Sequence, residues 1–179
     1  MNASAARSSA GAVDWMESPV GPLILAANSR AVCLLHFTER EHLAAELARA
    51  RTISGAADST ASDVLALLRT ELLAYFAGSL RQFSVPVAPA GSSFQQQVWT
   101  ALCEIPYGQT RSYLDIARRV GDTGATRAVG AANGANPIAI VVPCHRVINA
   151  NGELGGYGGG LWRKRLLLDL EKGQGRLDF

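Results

Sequence analysis

Asn136-Pro-Ile-Ala-Ile-Val-Val-Pro-Cys-His-Arg-Val147 is the stretch around which the chain is organised. Five apolar residues, Ile138 to Val142, lie between Pro137 and Pro143. A run that short, β-branched and bounded by proline predicts a buried extended segment rather than a helix. Cys144, His145 and Arg146 follow at once. A thiol beside an imidazole and a guanidinium, at the end of a buried segment, is how a reactive cysteine would be presented. Burial excludes water and fixes position, while nearby positive charge favours the thiolate. The same tripeptide also reads as a core cysteine beside two surface cations, and only the rest of the chain can decide.

At 179 residues, 48% of them hydrophobic, the chain can bury a core as one domain or two small ones, and it is globular rather than disordered. No apolar run approaches the roughly 20 residues that span a bilayer, and Met1 to Gly11 carry no hydrophobic core of a signal peptide. Cys33, Cys103 and Cys144 are an odd, widely spaced set without a Cys-x-x-Cys, which points to free thiols in a reducing cytoplasm. The net charge of +2 is unevenly spread: seven Lys/Arg against eight Asp/Glu up to Ala90, then ten against seven. That asymmetry is compatible with a nucleic-acid partner without diagnosing one.

Residues 1–11 read as a disordered leader. Val13–Glu17, Val20–Ala27 and Ala31–Phe37 read as three strands, the third entered through the turn-forming Asn28-Ser29. Thr38 with Glu41 predicts a capped helix, and Thr60 with Asp63 a longer one whose apolar stripe is Val64, Leu67, Leu68, Leu72, Tyr75 and Phe76. Cys33 and His36, three apart on a strand, point to opposite faces and have no companion ligands, so no metal site is expected. Gln82–Val87 reads as a short edge strand, and the Pro-rich connector to Gly91 as the domain boundary. The expected domains are 12–90 and 91–179.

Beyond the boundary, Ser93 with Gln96 signals one helix and Ser112 with Asp115 the next. Thr123 can cap a third, with Ala125, Ala128, Val129 and Ala132 inward. The last two form a helix-turn-helix pattern, for which a plain helical hairpin is the simpler reading. Its second helix is nearly all Ala and Gly with one long side chain, Arg127, which suits close approach to a backbone or narrow groove more than base reading. The glycine-dense loop from Asn149 to Gly160 holds one aromatic, Tyr157, and fits a pocket wall. In the final helix, Glu171 shares a face with Lys164, Leu167 and Leu168. The helix dipole disfavours an anion in the last turn by roughly 0.3–1 kcal/mol. Glu171 is either a frayed surface residue or the partner of His145.

Pro143-Cys-His-Arg-Val-Ile148, with Asn136-Pro137 before it and Tyr157-Gly-Gly after it, resembles the O6-alkylguanine-DNA alkyltransferases, also called methylated-DNA–protein-cysteine methyltransferases. The resemblance extends in order through Phe94–Trp99, Ile105–Gly108, Ser112-Tyr113, Arg127–Gly130, Leu167-Leu168 and Glu171. It is weaker before residue 90. It implies an α/β N-terminal domain, a small antiparallel sheet plus helices, followed by a mainly helical, winged-helix-like C-terminal domain with a helix-turn-helix. The implied activity is direct-reversal repair: O6-alkylguanine is flipped out of double-stranded DNA and its alkyl group moves irreversibly to Cys144 in a single-turnover, self-inactivating methyltransferase reaction.

Under this resemblance His145 accepts the thiol proton through a water, Glu171 orients the imidazole, Asn136 supports the cysteine loop, and Tyr113 crowds the phosphate and donates to the base. Arg127 fills the vacated stack, while Ala128 and Gly130 are groove-wall positions in a minor-groove contact without sequence specificity. Tyr157, the backbone of Gly158 and the Val147 carbonyl line the guanine pocket. No cofactor, metal or membrane is implied, and a monomer is expected. Some relatives carry serine where this chain has Gly158. A lesion-binding relative would lack Cys144, a thiol hydrolase would turn over, and a transcription factor would need base-reading side chains on the Arg127 helix.

Overall fold

The computed structural model describes residues 12–39 and 59–173, with 42, 44 and 48. The leader and nearly all of the helix expected after Thr38 lie outside the described residues. Three strands, β1 (Ala12–Met16), β2 (Leu23–Ala27) and β3 (Val32–Phe37), form an antiparallel sheet in that order, paired from Ala12↔Ala27 and Leu23↔Phe37. The turns obey local chemistry. Gly21 takes φ 89° opposite Ser18, and the Asn28 side chain accepts from the Arg30 and Ala31 backbone N–H groups.

Helix α1 (Ser59–Phe76) packs on β1 and β2. Its buried stripe is Ala61, Leu65, Leu68, Leu72, Tyr75 and Phe76, alternating steps of four and three. Leu67, expected inward, is 41% exposed, and Leu65, two residues earlier and nearly on the opposite side of the helix, is buried instead. The side chain of Thr60, expected to cap this helix, lies outside what is described.

Gln82–Val87 does not form an edge strand. Only Val87 bridges β3, at Val32. The carboxylate of Glu71 takes the Ser84 and Val85 backbone N–H groups and the Ser84 hydroxyl, so those groups are satisfied by a side chain instead of a ladder.

Helix α2 (Ser93–Cys103) is opened by a capping box one residue earlier than expected, between Ser92 and Gln95. Its Trp99 indole donates to the Ala132 carbonyl at 2.8 Å, and Gly91 crosses so close to that indole that a Cβ would lie 2.4 Å from it. Strand β4 (Arg111–Ser112) leads into α3 (Tyr113–Arg119), where the Ser112–Asp115 capping box forms as expected. A 3-10 turn (Thr123–Ala125), capped by Asp122 and not Thr123, enters α4 (Thr126–Gly134). Val129, Ala132 and Asn133 face inward, whereas Ala128, expected inward, faces solvent with Arg127 and Ala131. A second 3-10 turn (Cys144–Arg146), β5 (Val147–Ile148, parallel to β4) and α5 (Leu161–Glu171) complete the chain.

One apolar core runs through both halves, joining Leu25, Leu35 and Tyr75 to Val98, Ile138 and Leu167. The three-stranded N-terminal sheet and the helical C-terminal half therefore form the expected architecture around shared packing. None of the described helices is long and apolar enough to cross a membrane.

Candidate active site

The segment Ile138–Val142 is buried as expected but is not extended. Only Ile138 pairs with an edge, at Leu35 of β3, where Leu35 N–H donates to Pro137 and Ala139 N–H to Leu35. The chain then turns twice, and Ile140 sits at φ 69°, a left-handed conformation that costs a β-branched residue dearly. What holds it is Asn136. Its Oδ1 accepts from Ile138 N–H at 3.0 Å, and its Nδ2 donates to the Val142 carbonyl at 2.8 Å and to the Ile138 carbonyl at 3.4 Å. One side-chain amide thus pairs the buried backbone of the turn, and the turn delivers Cys144 into the core.

Beyond the thiol, His145 and Glu171 meet: Nε2 lies 2.8 Å from Oε1, with both side chains fully buried. Glu171 is not a frayed surface residue. It accepts from five donors: the Tyr75 hydroxyl, His145 Nε2, Arg146 Nε and Nη2, and the Gly108 N–H. Burial would raise its pKa, but the His145 and Arg146 partners outweigh that and hold the carboxyl well below the usual range. An ionised carboxylate can only accept, so Nε2 carries the hydrogen and Nδ1 carries a lone pair. That Nδ1 is buried with no hydrogen-bond partner among the described residues. Burial, opposed by Glu171, pushes the His145 pKa down, so the ring is a neutral base.

Cys144 is 5% exposed. Burial raises its pKa, opposed by Asn136, Tyr157 and the nearby Lys164 ammonium. The expected electropositive activation by Arg146 does not occur, because its guanidinium is spent on Glu171 and on the Ile105 carbonyl. The resting thiol is protonated and needs a base. Tyr113, whose pKa is raised by burial and then by Cys144, keeps its proton and donates to the Gly156 carbonyl at 3.4 Å. A groove of about 530 Å³ lined by Arg81, Phe83, Cys103, Tyr107 and Arg146 touches the rear of the network but not Cys144, so it is not where the thiol reacts.

Residues 14–89 match the ribonuclease-like domain of 6-O-methylguanine DNA methyltransferase, and residues 93–173 its DNA-binding domain. A methylated-DNA–protein-cysteine methyltransferase of Mycobacterium tuberculosis is 50% identical over 165 residues, which is 92% of this chain and 94% of that one. The chain belongs to the methylated-DNA–protein-cysteine methyltransferase family. A relative of the same name in Methanosarcina acetivorans is 46% identical over 87% of this chain and 94% of its own. The crystal structure of Mycobacterium tuberculosis OGT in complex with DNA superposes with a TM-score of 0.73 at 47% identity, covering 89% and 92% of the two chains.

In this methyltransferase chain the expected residues Cys144, His145, Glu171 and Asn136 come together, with Tyr157 and Tyr113 near enough to be influenced by the thiol. Gly158 lies in the turn after Tyr157, and the Val147 carbonyl accepts from Lys164 at 2.6 Å. Arg127, Ala128 and Gly130 sit apart on α4, Arg127 exposed. Sequence reasoning missed Tyr75, Arg146 as a Glu171 partner, and Asn133, whose Nδ2 donates to the Cys144 carbonyl at 3.3 Å. Asn133 carried a signal: it is a polar side chain amid the Ala and Gly of its helix, and it links α4 to the cysteine.

Proposed function

We propose that this protein repairs DNA alkylated at O6 of guanine by moving the alkyl group to Cys144, once per molecule. The observation that carries the reading is the imidazole of His145, locked by Glu171 into the tautomer whose Nδ1 lone pair is free, next in sequence to a buried protonated thiol. The Cys144 proton passes to Nδ1 through a relaying water. The S–C bond forms as the C–O6 bond breaks, and the electron pair leaves with guanine, which Tyr113 protonates or hydrogen-bonds. The product is a thioether with no electrophilic carbonyl, so nothing here regenerates the thiol.

A buried thiol cannot reach a base inside a duplex, so the nucleotide is flipped, at a cost of a few kcal/mol. Arg127 projects from the smooth exposed face of α4, where Ala128 and Gly130 let the minor groove approach, and fills the vacated stack without reading sequence. Tyr157, the Gly158 N–H and the Val147 carbonyl line the guanine pocket. Asn136 supports the cysteine turn. Residues 12–90 and 91–179 act as the two domains of a cytoplasmic monomer. Intact-protein and peptide mass spectrometry with an O6-methylguanine duplex tests this. One methyl on the Cys144 peptide, lost in Cys144→Ala, is expected; binding without a mass change would overturn it.

A further inference from the structure

Arg163 and Lys164 stand in the first turn of α5, where the helix dipole disfavours cations, and both are buried. Each is therefore held by specific acceptors. Lys164 donates to the carbonyls of Val147, Leu154 and Gly156, all within the C-terminal half. Arg163 instead spans the halves. Its Nε donates to the Val20 carbonyl in the β1–β2 turn at 2.7 Å, its Nη1 to the Gly159 carbonyl at 2.9 Å, and its Nη2 to Glu39 at 2.8 Å.

The surroundings are fitted to that fork. The guanidinium lies 5.2 Å from the Phe37 ring centre and 4.4 Å from that of Trp162. Gly21 approaches so closely that a Cβ there would be 3.1 Å from Nη2. Gly159 packs under Phe37 with no room at all, since a Cβ would lie 2.5 Å from the ring. Phe37 in turn meets the Tyr157 ring edge-on at 5.8 Å between centres. Tyr157 and Cys144 are close enough to perturb each other's ionisation.

We propose that Arg163 is a positioning residue through which the N-terminal sheet fixes the pocket wall at 157–160 over Cys144, so that the first domain contributes to the rate of alkyl transfer. The inference rests on the alkyl-transfer reading above. Planar two-sided donation to Val20 and Gly159 is what a guanidinium supplies and an ammonium does not.

The test is single-turnover methylation of the full chain by an O6-methylguanine duplex, comparing wild type, Arg163→Gln and Arg163→Lys. A reagent that reacts once gives three readouts. The amplitude counts folded molecules, the half-saturating DNA concentration reports binding, and the saturating rate reports the pocket. For Arg163→Gln we expect near-full amplitude, unchanged half-saturation and a saturating rate lower by about 10- to 100-fold, the scale of a small misplacement of reacting groups. Arg163→Lys should recover only part of the rate. Reduced amplitude with a wild-type rate in the molecules that do react would overturn the proposal, because Arg163 would then serve folding alone. Should Arg163→Gln not fold, Phe37→Leu keeps the guanidinium bonds and removes the ring against Tyr157. A lower saturating rate at full amplitude supports the proposal, and an unchanged rate overturns it. No transfer by the wild type would overturn the alkyl-transfer reading instead.

Discussion

The Tyr75 hydroxyl donates to Oε1 of Glu171 at 2.8 Å, the same oxygen that holds His145 Nε2. Tyr75 belongs to α1, in the N-terminal half, so the carboxylate that orients the imidazole is pinned from both ends of the chain. Tyr75→Phe removes one charge-assisted bond and leaves four donors on Glu171. The expected loss is about 1.5–3 kcal/mol of unfolding free energy, read by urea denaturation. A change below about 0.5 kcal/mol would show that the hydroxyl contributes nothing there.

The pH dependence follows from the base. His145 must be neutral to accept a proton, and burial, opposed by Glu171, sets its pKa below the ordinary 6.5. Glu171 stays ionised through this range because His145 and Arg146 outweigh the burial that would raise its pKa. The saturating transfer rate should therefore hold steady as pH falls to 6.5 and decline only below it, measured by single-turnover kinetics between pH 5 and 8. A midpoint at or above 6.5 contradicts this. Stability moves with the same sign: the unfolded chain takes up the proton first, so the contribution present above pH 6.5 is lost as pH falls towards the folded pKa.

What the sequence made legible and what it hid divide by distance along the chain. Cys144-His145-Arg146 announces itself because the three are adjacent, and Glu171 because a carboxylate in a last helical turn among leucines is out of place. Tyr75 gave no such signal, since a tyrosine on an apolar stripe packs equally well without a partner, and its acceptor is 96 residues away. The extended reading of Ile138–Val142 failed for a related reason. β-branched residues favour strands locally, but Asn136 supplies the backbone partners that make a turn with Ile140 in the left-handed region tolerable. The α2 cap slipped by one residue because Ser92 and Ser93 are each followed by a glutamine three residues on.

Asn136→Ala tests that account of the turn. It strands the Ile138 N–H in the core, at about 1–3 kcal/mol for an unsatisfied group, and leaves the Val142 carbonyl with the Cys144 N–H as its one remaining donor. We expect a loss of at least about 1 kcal/mol in urea denaturation and a slower transfer rate in the molecules that remain folded. Wild-type stability would mean that the turn holds itself.

Arg127 is exposed on α4 and makes no hydrogen bond or ion pair among the described residues. Its removal should leave stability within about 0.5 kcal/mol. Transfer from duplex DNA should fall, because the flipped-out state loses the side chain that fills the stack, whereas reaction with free O6-benzylguanine base should not change. Equal losses on both substrates would place Arg127 in the chemistry rather than in flipping.

Gly158 distinguishes this chain from relatives with serine there, and the backbone shows what that substitution does. A Cβ at 158 would meet only the Gly134 carbonyl, at 3.7 Å, which is ordinary contact. Gly158→Ser should therefore fold with wild-type stability, within about 0.5 kcal/mol. The N–H survives, so the proposed backbone contact to the guanine is kept, while the new hydroxymethyl group takes space at the mouth beside Tyr157. The rate for a benzyl adduct relative to a methyl adduct should then be lower in Gly158→Ser than in the wild type. Single-turnover kinetics on duplexes carrying each adduct give the ratio directly. An unchanged ratio would mean that the glycine does not set the size of alkyl group admitted.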